Sequence, residues 1–352
     1  MSFTETRRNE IILYLLRKIS VDDPSLIPDV ADAFGISQTS VRRYLERETN
    51  EGHIRPFDEA ACGYALCTVS NDFSYDLRSL YERDDDLAYE DALPFLPENP
   101  NAGVIWQYVL TEIFNNAISH SQGSKAGMYV ESNHLFTRIW LEDDGIGIFA
   151  NILSAMRASG VQNPKPADAV TELYKGKFTS LPENHSGEGI YFSMQLLDKI
   201  AIISDDLILR SGFSRESSYI RSHLLAYYTR WTGKGTIVMM QLENQTGRVA
   251  ADVFSLFADV DEGFVKTRIP VLKACLDREP VSRSQARRIC DRLEQFHEVI
   301  LDFEDVTFLG QGFADEMFRV FQNEQPQLKL TPVNMAADVQ KMYLYTIHNN
   351  VM

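Results

Sequence analysis

The sequence predicts a multi-domain α+β chain: a helical N-terminal module, a central α/β sandwich and a C-terminal α/β domain. Three observations predict it. Apolar residues in the first fifty positions recur only at helical spacing. From Gly127 to Glu142 the pattern changes to the alternation of a β-hairpin, with helical stretches on either side. After Ser282, short apolar runs alternate with amphipathic helices as a β-α repeat. At 352 residues the chain is long enough for two or three separate cores.

Composition sets limits. The chain is 44% hydrophobic and 24% charged, which is globular. A net charge of −16 argues against a broadly basic nucleic-acid coat, though not against one DNA-reading module. The segment from Met1 to Arg8 lacks an apolar export core, and no apolar run approaches membrane-spanning length. A cytoplasmic protein without membrane contact is expected. Cys62, Cys67, Cys275 and Cys290 show no CxxC spacing, so reduced thiols are expected.

Ile11, Ile12, Leu15, Leu16 and Ile19 mark a first helix. A second runs from about Ser25 to Phe34, Gly35-Ile36 makes a tight turn, and Ser37 suits the N-cap of a third. The run from Asp29 to Leu45 resembles a bacterial helix-turn-helix. In that arrangement the third helix offers Gln38, Thr39, Ser40, Arg42 and Arg43 to base edges, and Arg47 to a phosphate. Residues 1–55 hold eight Lys or Arg against nine Asp or Glu, so such a module would bind weakly alone and need a dimer. A trihelical protein-interaction domain is the alternative. Gly63 to Phe73 reads as a wing or as the first strand of the next domain. Glu82 to Asp91, with its acidic cluster, reads as a solvated connector. The module is placed at 1–60 and the wing and connector at 61–94.

The next helix spans about 104–119. Glu112, Asn116 and His120 recur along one face of it, opposite Ile105, Val109, Ile113, Phe114 and Ala117. A column of polar groups beside an apolar stripe can be a plain solvated face. Three downstream motifs argue otherwise. The hairpin delivers Asp143-Asp144-Gly145-Ile146-Gly147. Gly187-Glu188-Gly189-Ile190 then opens a helix, and Gly235-Thr236 opens a strand. No G-x-x-x-x-G-K-[ST] is present, so this is not a P-loop.

The ordered set E-x-x-x-N-A-x-x-H, D-x-G-x-G, G-x-G and G-T resembles the GHKL ATPase superfamily. The likeness covers about residues 95–245 and is strongest to the anti-sigma-factor kinases, and the domain is placed at 95–250. The resemblance implies ATP and Mg²⁺. It implies Asn116 as a metal ligand and Glu112 as the group that orients or deprotonates an attacking water or hydroxyl. It implies Asp143 as acceptor for the adenine amino group, with Gly145, Gly147 and Thr236 near the base. Gly187, Gly189 and Ile190 fall at the phosphate-binding helix start. It also implies a mobile lid over 148–186, where Lys175 and Lys177 are either phosphate contacts or ordinary surface charges. His120 reads as a structural hydrogen-bonder.

Beyond residue 262, Ser282-x-x-Gln285 has the pattern of a capping box. The strand Val299 to Phe303, the segment Phe313-Ala314-Asp315-Glu316 and a last β-α pair resemble the STAS fold of anti-anti-sigma factors, in its STAS-like form. The loop Leu309 to Gly312 lacks the hydroxyl that phosphorylated relatives carry, and Thr307 reads as a strand residue. A docking or dimerisation module is expected, with Asp315 and Glu316 as exposed contacts or first-turn acids. The whole reads as an ATP-responsive DNA-binding transcriptional regulator, a homodimer with weak Mg-dependent ATPase activity and room for a protein partner at the STAS-like domain. The alternatives are a Ser/Thr protein kinase of the anti-sigma type and a scaffold that does not bind DNA.

Overall fold

The computed structural model describes residues 4–80, 84–178, 187–213, 234–259 and 261–348. Helices α1 (Glu5–Ser20), α2 (Leu26–Phe34) and α3 (Gln38–Asn50) come first. A short antiparallel hairpin of β1 (Ile54–Pro56) and β2 (Tyr64–Leu66) comes after them. Ile11, Leu15, Leu16, Val30, Val41 and Leu45 fill the shared core, as their helical spacing requires. α2 stops because Gly35 adopts the left-handed conformation, φ 61°, and turns its N–H back to the carbonyls of Ala31 and Asp32. Ser37 then caps α3 by accepting from the Ser40 N–H.

The stretch from Gly63 to Phe73, expected as a wing or a strand, falls on two strands. β2 closes the hairpin, and β3 (Val69–Asp76) is the edge of a six-stranded antiparallel sheet. Its other strands are β4 (Lys125–Ser132), β5 (Phe136–Asp143), β6 (Lys199–Ser204), β7 (Leu207–Ser211) and β8 (Ile237–Glu243), in the order β3-β4-β5-β8-β6-β7. The sheet therefore begins at Val69, ahead of the boundary expected at residue 95. The connector reading also needs correction. Its described part contains α4 (Leu87–Ala92), whose Ala88 and Ala92 are fully buried against the next helix. Two alanines four apart make a thin apolar face that the neighbouring aspartates hide in the sequence.

One sheet face carries α5 (Pro100–His120) and α8 (Gly189–Leu196), with α6 (Ile148–Ala158) and α7 (Pro166–Lys175) beside them. Strand alternation sorts the two faces. Ile139, Leu141, Val238, Met240, Ile200 and Ile202 join the core under the helices. Trp140, Met239, Ile237, Ala201 and Ile203 form a separate cluster on the far face. α5 starts earlier than expected because Asn99 caps it and Pro100 sits in its first turn, where no N–H is needed.

α9 (Ala250–Phe257) and the short pair β9 (Ala258–Asp259) and β10 (Gly263–Phe264) lead to a second sheet. Its strands β11 (Lys266–Pro270), β12 (Glu298–Asp302) and β13 (Lys329–Val333) are parallel, with β12 central. The intervening helices are α10 (Val271–Ala274), α11 (Arg283–Cys290) and α12 (Gln311–Asp315), the last continuing as a π-helical segment over Glu316–Phe321. α13 (Ala337–His348) ends the described chain. Ser282 and Gln285 form the reciprocal capping box that opens α11. All four cysteines are free, and no helix among the described residues is long and apolar enough to cross a membrane.

Candidate functional site

A cavity of about 260 Å³ opens between α5, α6, α8 and the sheet. Glu112, Asn116 and His120 line it from one face of α5, as their spacing requires. Asp143 reaches it from the end of β5, Gly147 from the turn after that strand, and Gly187, Gly189 and Ile190 from the start of α8. Thr236 enters at the start of β8. Eight of the nine nucleotide-site residues expected from the sequence thus meet in one place: Glu112, Asn116, Asp143, Gly147, Gly187, Gly189, Ile190 and Thr236.

Gly145 is the ninth and does not line the cavity. A Cβ there would lie 2.1 Å from the backbone oxygen of Ser121, so its lack of a side chain lets the turn rest on the end of α5. Gly147, at φ +84°, does face the cavity, and a Cβ there would meet Ser204 Oγ at 2.3 Å. At Gly189 a Cβ would lie 1.9 Å from Glu112 Oε2, so α8 can begin beside that carboxylate only without a side chain.

The polar groups are held in place. Asn116 Nδ2 donates to the Glu112 carbonyl at 2.8 Å, leaving Oδ1 as its available acceptor. Asp143 Oδ1 accepts from the Gly145 N–H at 2.8 Å, and the Asp143 N–H donates to the Thr236 carbonyl at 3.0 Å. Thr236 Oγ1 accepts from the Ile148 N–H at 3.0 Å, tying the β8 start to the α6 start. Burial raises the Asp143 carboxyl to about 6 even though N–H donors oppose the shift. Burial also raises Glu112, and the charges of Asp85 and Glu188 add to the effect. Glu188 is raised by burial, with Lys177 opposing.

Asn151, not among the residues expected from sequence, lines the cavity from α6 and donates to the His120 carbonyl at 3.3 Å. Its position in the first turns of the helix after D-x-G-x-G was the available signal. Leu173 and Phe178 supply an apolar wall from α7 and the residues after it. Of the stretch expected as a lid, residues 179–186 lie outside the described residues, and the rest contains α6 and α7.

Lys175 fits neither role considered for it. It is completely buried, and its Nζ donates to Glu172 Oε1 at 2.7 Å and to the carbonyls of Arg288 at 2.9 Å and Asp291 at 2.6 Å. Those carbonyls close the C-terminal end of α11, where the helix dipole favours a cation. Lys177 donates to the Gln295 carbonyl at 3.0 Å and lies over the ring of Phe296. Both lysines therefore join the cavity wall to the C-terminal domain.

On α3, Gln38, Thr39, Arg42, Arg43 and Arg47 are exposed. Ser40 is half-buried, and its hydroxyl is hydrogen-bonded to that of Ser37 at 2.9 Å. Arg47 pairs with Glu51 one turn on, at 2.8 Å. In the C-terminal domain, Asp315 and Glu316 are not open contacts. Asp315 is paired with Arg283 and Arg319, and buried Glu316 with Arg287 at 2.6 Å, so they lock α11 to α12 and the π-helical segment. Thr307 is not in a strand either. It lies exposed in the loop before α12, and its hydroxyl donates to Glu279 Oε1 at 2.8 Å.

Residues 285–340 match the family described as STAS-like domain of unknown function (DUF4325). The C-terminal domain is thus STAS-like. No curated protein matches the chain.

Proposed function

We propose that the chain is an ATP-responsive DNA-binding transcriptional regulator, with the cavity as its Mg-ATP site and α2–α3 as its DNA-reading element. One observation carries the reading. Glu112, Asn116 and His120 from one helix face share a cavity with Asp143, the Gly187–Gly189 turn and Thr236, which are far apart in sequence. The donor set suits the ligand. Asn116 Oδ1 is a neutral oxygen of the kind that Mg²⁺ takes. Asp143 suits a base amino group, and the first N–H groups of α8 suit phosphate. The carboxyls of Glu112, Asp143 and Glu188 would repel a bare polyphosphate. Mg²⁺, when bound, would neutralise the phosphates beside them and polarise the terminal one.

Glu112 has the role of base. Burial strengthens it as a proton acceptor, so it suits an attacking water beside the terminal phosphate. Hydrolysis is then the slow reset of a switch. The signal would leave the cavity along two routes. α7 runs from the cavity wall into the STAS-like domain through Lys175. β8 (Ile237–Glu243) follows Thr236 directly and ends at Glu243, which accepts two hydrogen bonds from Arg17 of α1, at 2.7 and 2.6 Å. A homodimer would set two α3 helices at half-site spacing, so a small rotation would control operator binding. Gln38, Thr39, Ser40, Arg42 and Arg43 would face bases, Arg47 would face phosphate, and the STAS-like domain offers a surface to a protein partner.

The test combines DNA from the chain's own promoter region with γ-labelled ATP and Mg²⁺. The expected result is an ATP-dependent mobility shift with label released as free phosphate. Glu112→Gln should keep the shift and lose phosphate release by roughly 10²–10⁴-fold. Label transferred to protein, with DNA ignored, would replace this reading with a Ser/Thr kinase in which Glu112 activates a hydroxyl.

A further inference from the structure

The N-terminal module meets the central sheet at a cluster that nucleotide binding leaves unused. Glu48 lies in the last turn of α3, His53 just before β1, and His134 at the tip between β4 and β5. One donor atom from each lies within 4.8 Å of the other two. Glu48 Oε2 and His53 Nδ1 are 2.7 Å apart, and the rings of His53 and His134 stack with centroids at 3.6 Å. Glu48 is completely buried. Its second oxygen, Oε1, has no hydrogen-bond partner among the described residues.

A half-satisfied carboxylate at zero exposure is costly, and an apolar residue would pack there at less expense. Two imidazoles in face-to-face contact give that second oxygen no donor, and they repel when both are protonated. A cation between the three groups would satisfy the orphan oxygen and use both rings. We propose that Glu48, His53 and His134 bind one divalent transition-metal ion, Zn²⁺ being one that takes a two-imidazole, one-carboxylate donor set. His134 is exposed, so it can turn out of the stack and present a ring nitrogen in the plane that ligation needs. Water completes the coordination, since three protein ligands leave one position open.

The ion would join α3 to the β4–β5 tip across a contact otherwise held by ring stacking and the apolar pair Leu135 and Phe136. It would sit next to Glu51, whose Oε2 is 3.6 Å from His53 Nδ1 and which also holds Arg47. Metal occupancy would thus fix the far end of the helix whose near end carries Gln38 to Arg43.

The test uses untagged full-length protein, stripped with chelator and free of nucleotide. Co²⁺ is titrated in and monitored by its visible absorption, Zn²⁺ is used as competitor, and thermal unfolding is recorded with and without Zn²⁺. One equivalent of Co²⁺ should bind, and Zn²⁺ should displace it and raise the unfolding temperature. His134→Asn removes one ring of the stack, so its own unfolding in chelator is the reference for the effect of Zn²⁺ on it. It should bind Co²⁺ more than about 100-fold more weakly, a larger loss than removal of an outer-shell partner causes. It should also show no stabilisation by Zn²⁺. Absence of Co²⁺ absorption in the parent, or equal affinity in His134→Asn, would overturn the site and leave Glu48 and His53 as a hydrogen-bonded pair only.

Discussion

The central layer is joined to its two neighbours in different ways. On the C-terminal side the core is continuous. Tyr191 and Phe192 of α8 pack with Phe257 and Phe264, and one apolar cluster runs from Tyr75 to Val339. The polar contacts there are buried as well: Lys175 on α11, Thr267 Oγ1 on the Lys175 carbonyl at 2.8 Å, and the Arg268 N–H on Tyr191 Oη at 2.8 Å. On the N-terminal side the helical module keeps its own core. It reaches the sheet through Leu135 and Phe136, the His53–His134 stack and the Arg17–Glu243 pair, whose side chains are 54% and 27% exposed. A buried lysine holds its partners in one geometry, whereas an exposed ion pair tolerates many. The STAS-like domain is therefore an extension of the cavity wall, whereas the helical module is joined to the sheet in part through an exposed ion pair.

The contrast between the two sides is broken most directly at Lys175. Lys175→Met leaves Glu172 buried and two carbonyls without their donor, so it should cost about 3–5 kcal/mol in urea or thermal unfolding. A loss below about 1 kcal/mol would mean that the two domains are not built on this contact. Next is the cavity itself. An ionised Asp143 is the stronger acceptor for a base amino group, and burial pushes its carboxyl up to about 6. Below that pH the carboxyl is protonated and a weaker acceptor, so affinity for ATP should fall, by up to about tenfold per pH unit. A nucleotide without the amino donor should show a much flatter profile, and identical profiles would remove Asp143 from the base contact. The smallest effect belongs to the N-terminal side. Arg17→Ala should cost less than about 1 kcal/mol in stability. It should still weaken the link between ATP and the DNA shift, and unchanged coupling would rule out the β8 route.

The same contrast explains what could be read from sequence. The polar column of α5 was legible because helical spacing places Glu112, Asn116 and His120 on one side whatever packs around them. The β4–β5 hairpin was legible from alternation, and the capping box of α11 from Ser282 and Gln285 alone. Contacts between units were not. Nothing near Lys175 in the chain announces that its ammonium meets carbonyls at residues 288 and 291. Asp315 and Glu316 looked like surface acids until Arg283, Arg287 and Arg319 were placed beside them. His134 carried no local hint of Glu48 or His53. Local periodicity fixes which face a residue takes, and tertiary partners decide what that face meets.

On the proposed function, one cavity, built on Asn116 and its neighbours, takes Mg-ATP. Calorimetric titration of Mg-ATP into the full chain and into Asn116→Ala tests it most directly. The parent should show one binding site per chain and the variant no measurable binding, with both proteins unfolding at similar temperatures in the absence of nucleotide. Equal affinity in the two proteins, or no binding in the parent, would contradict the claim.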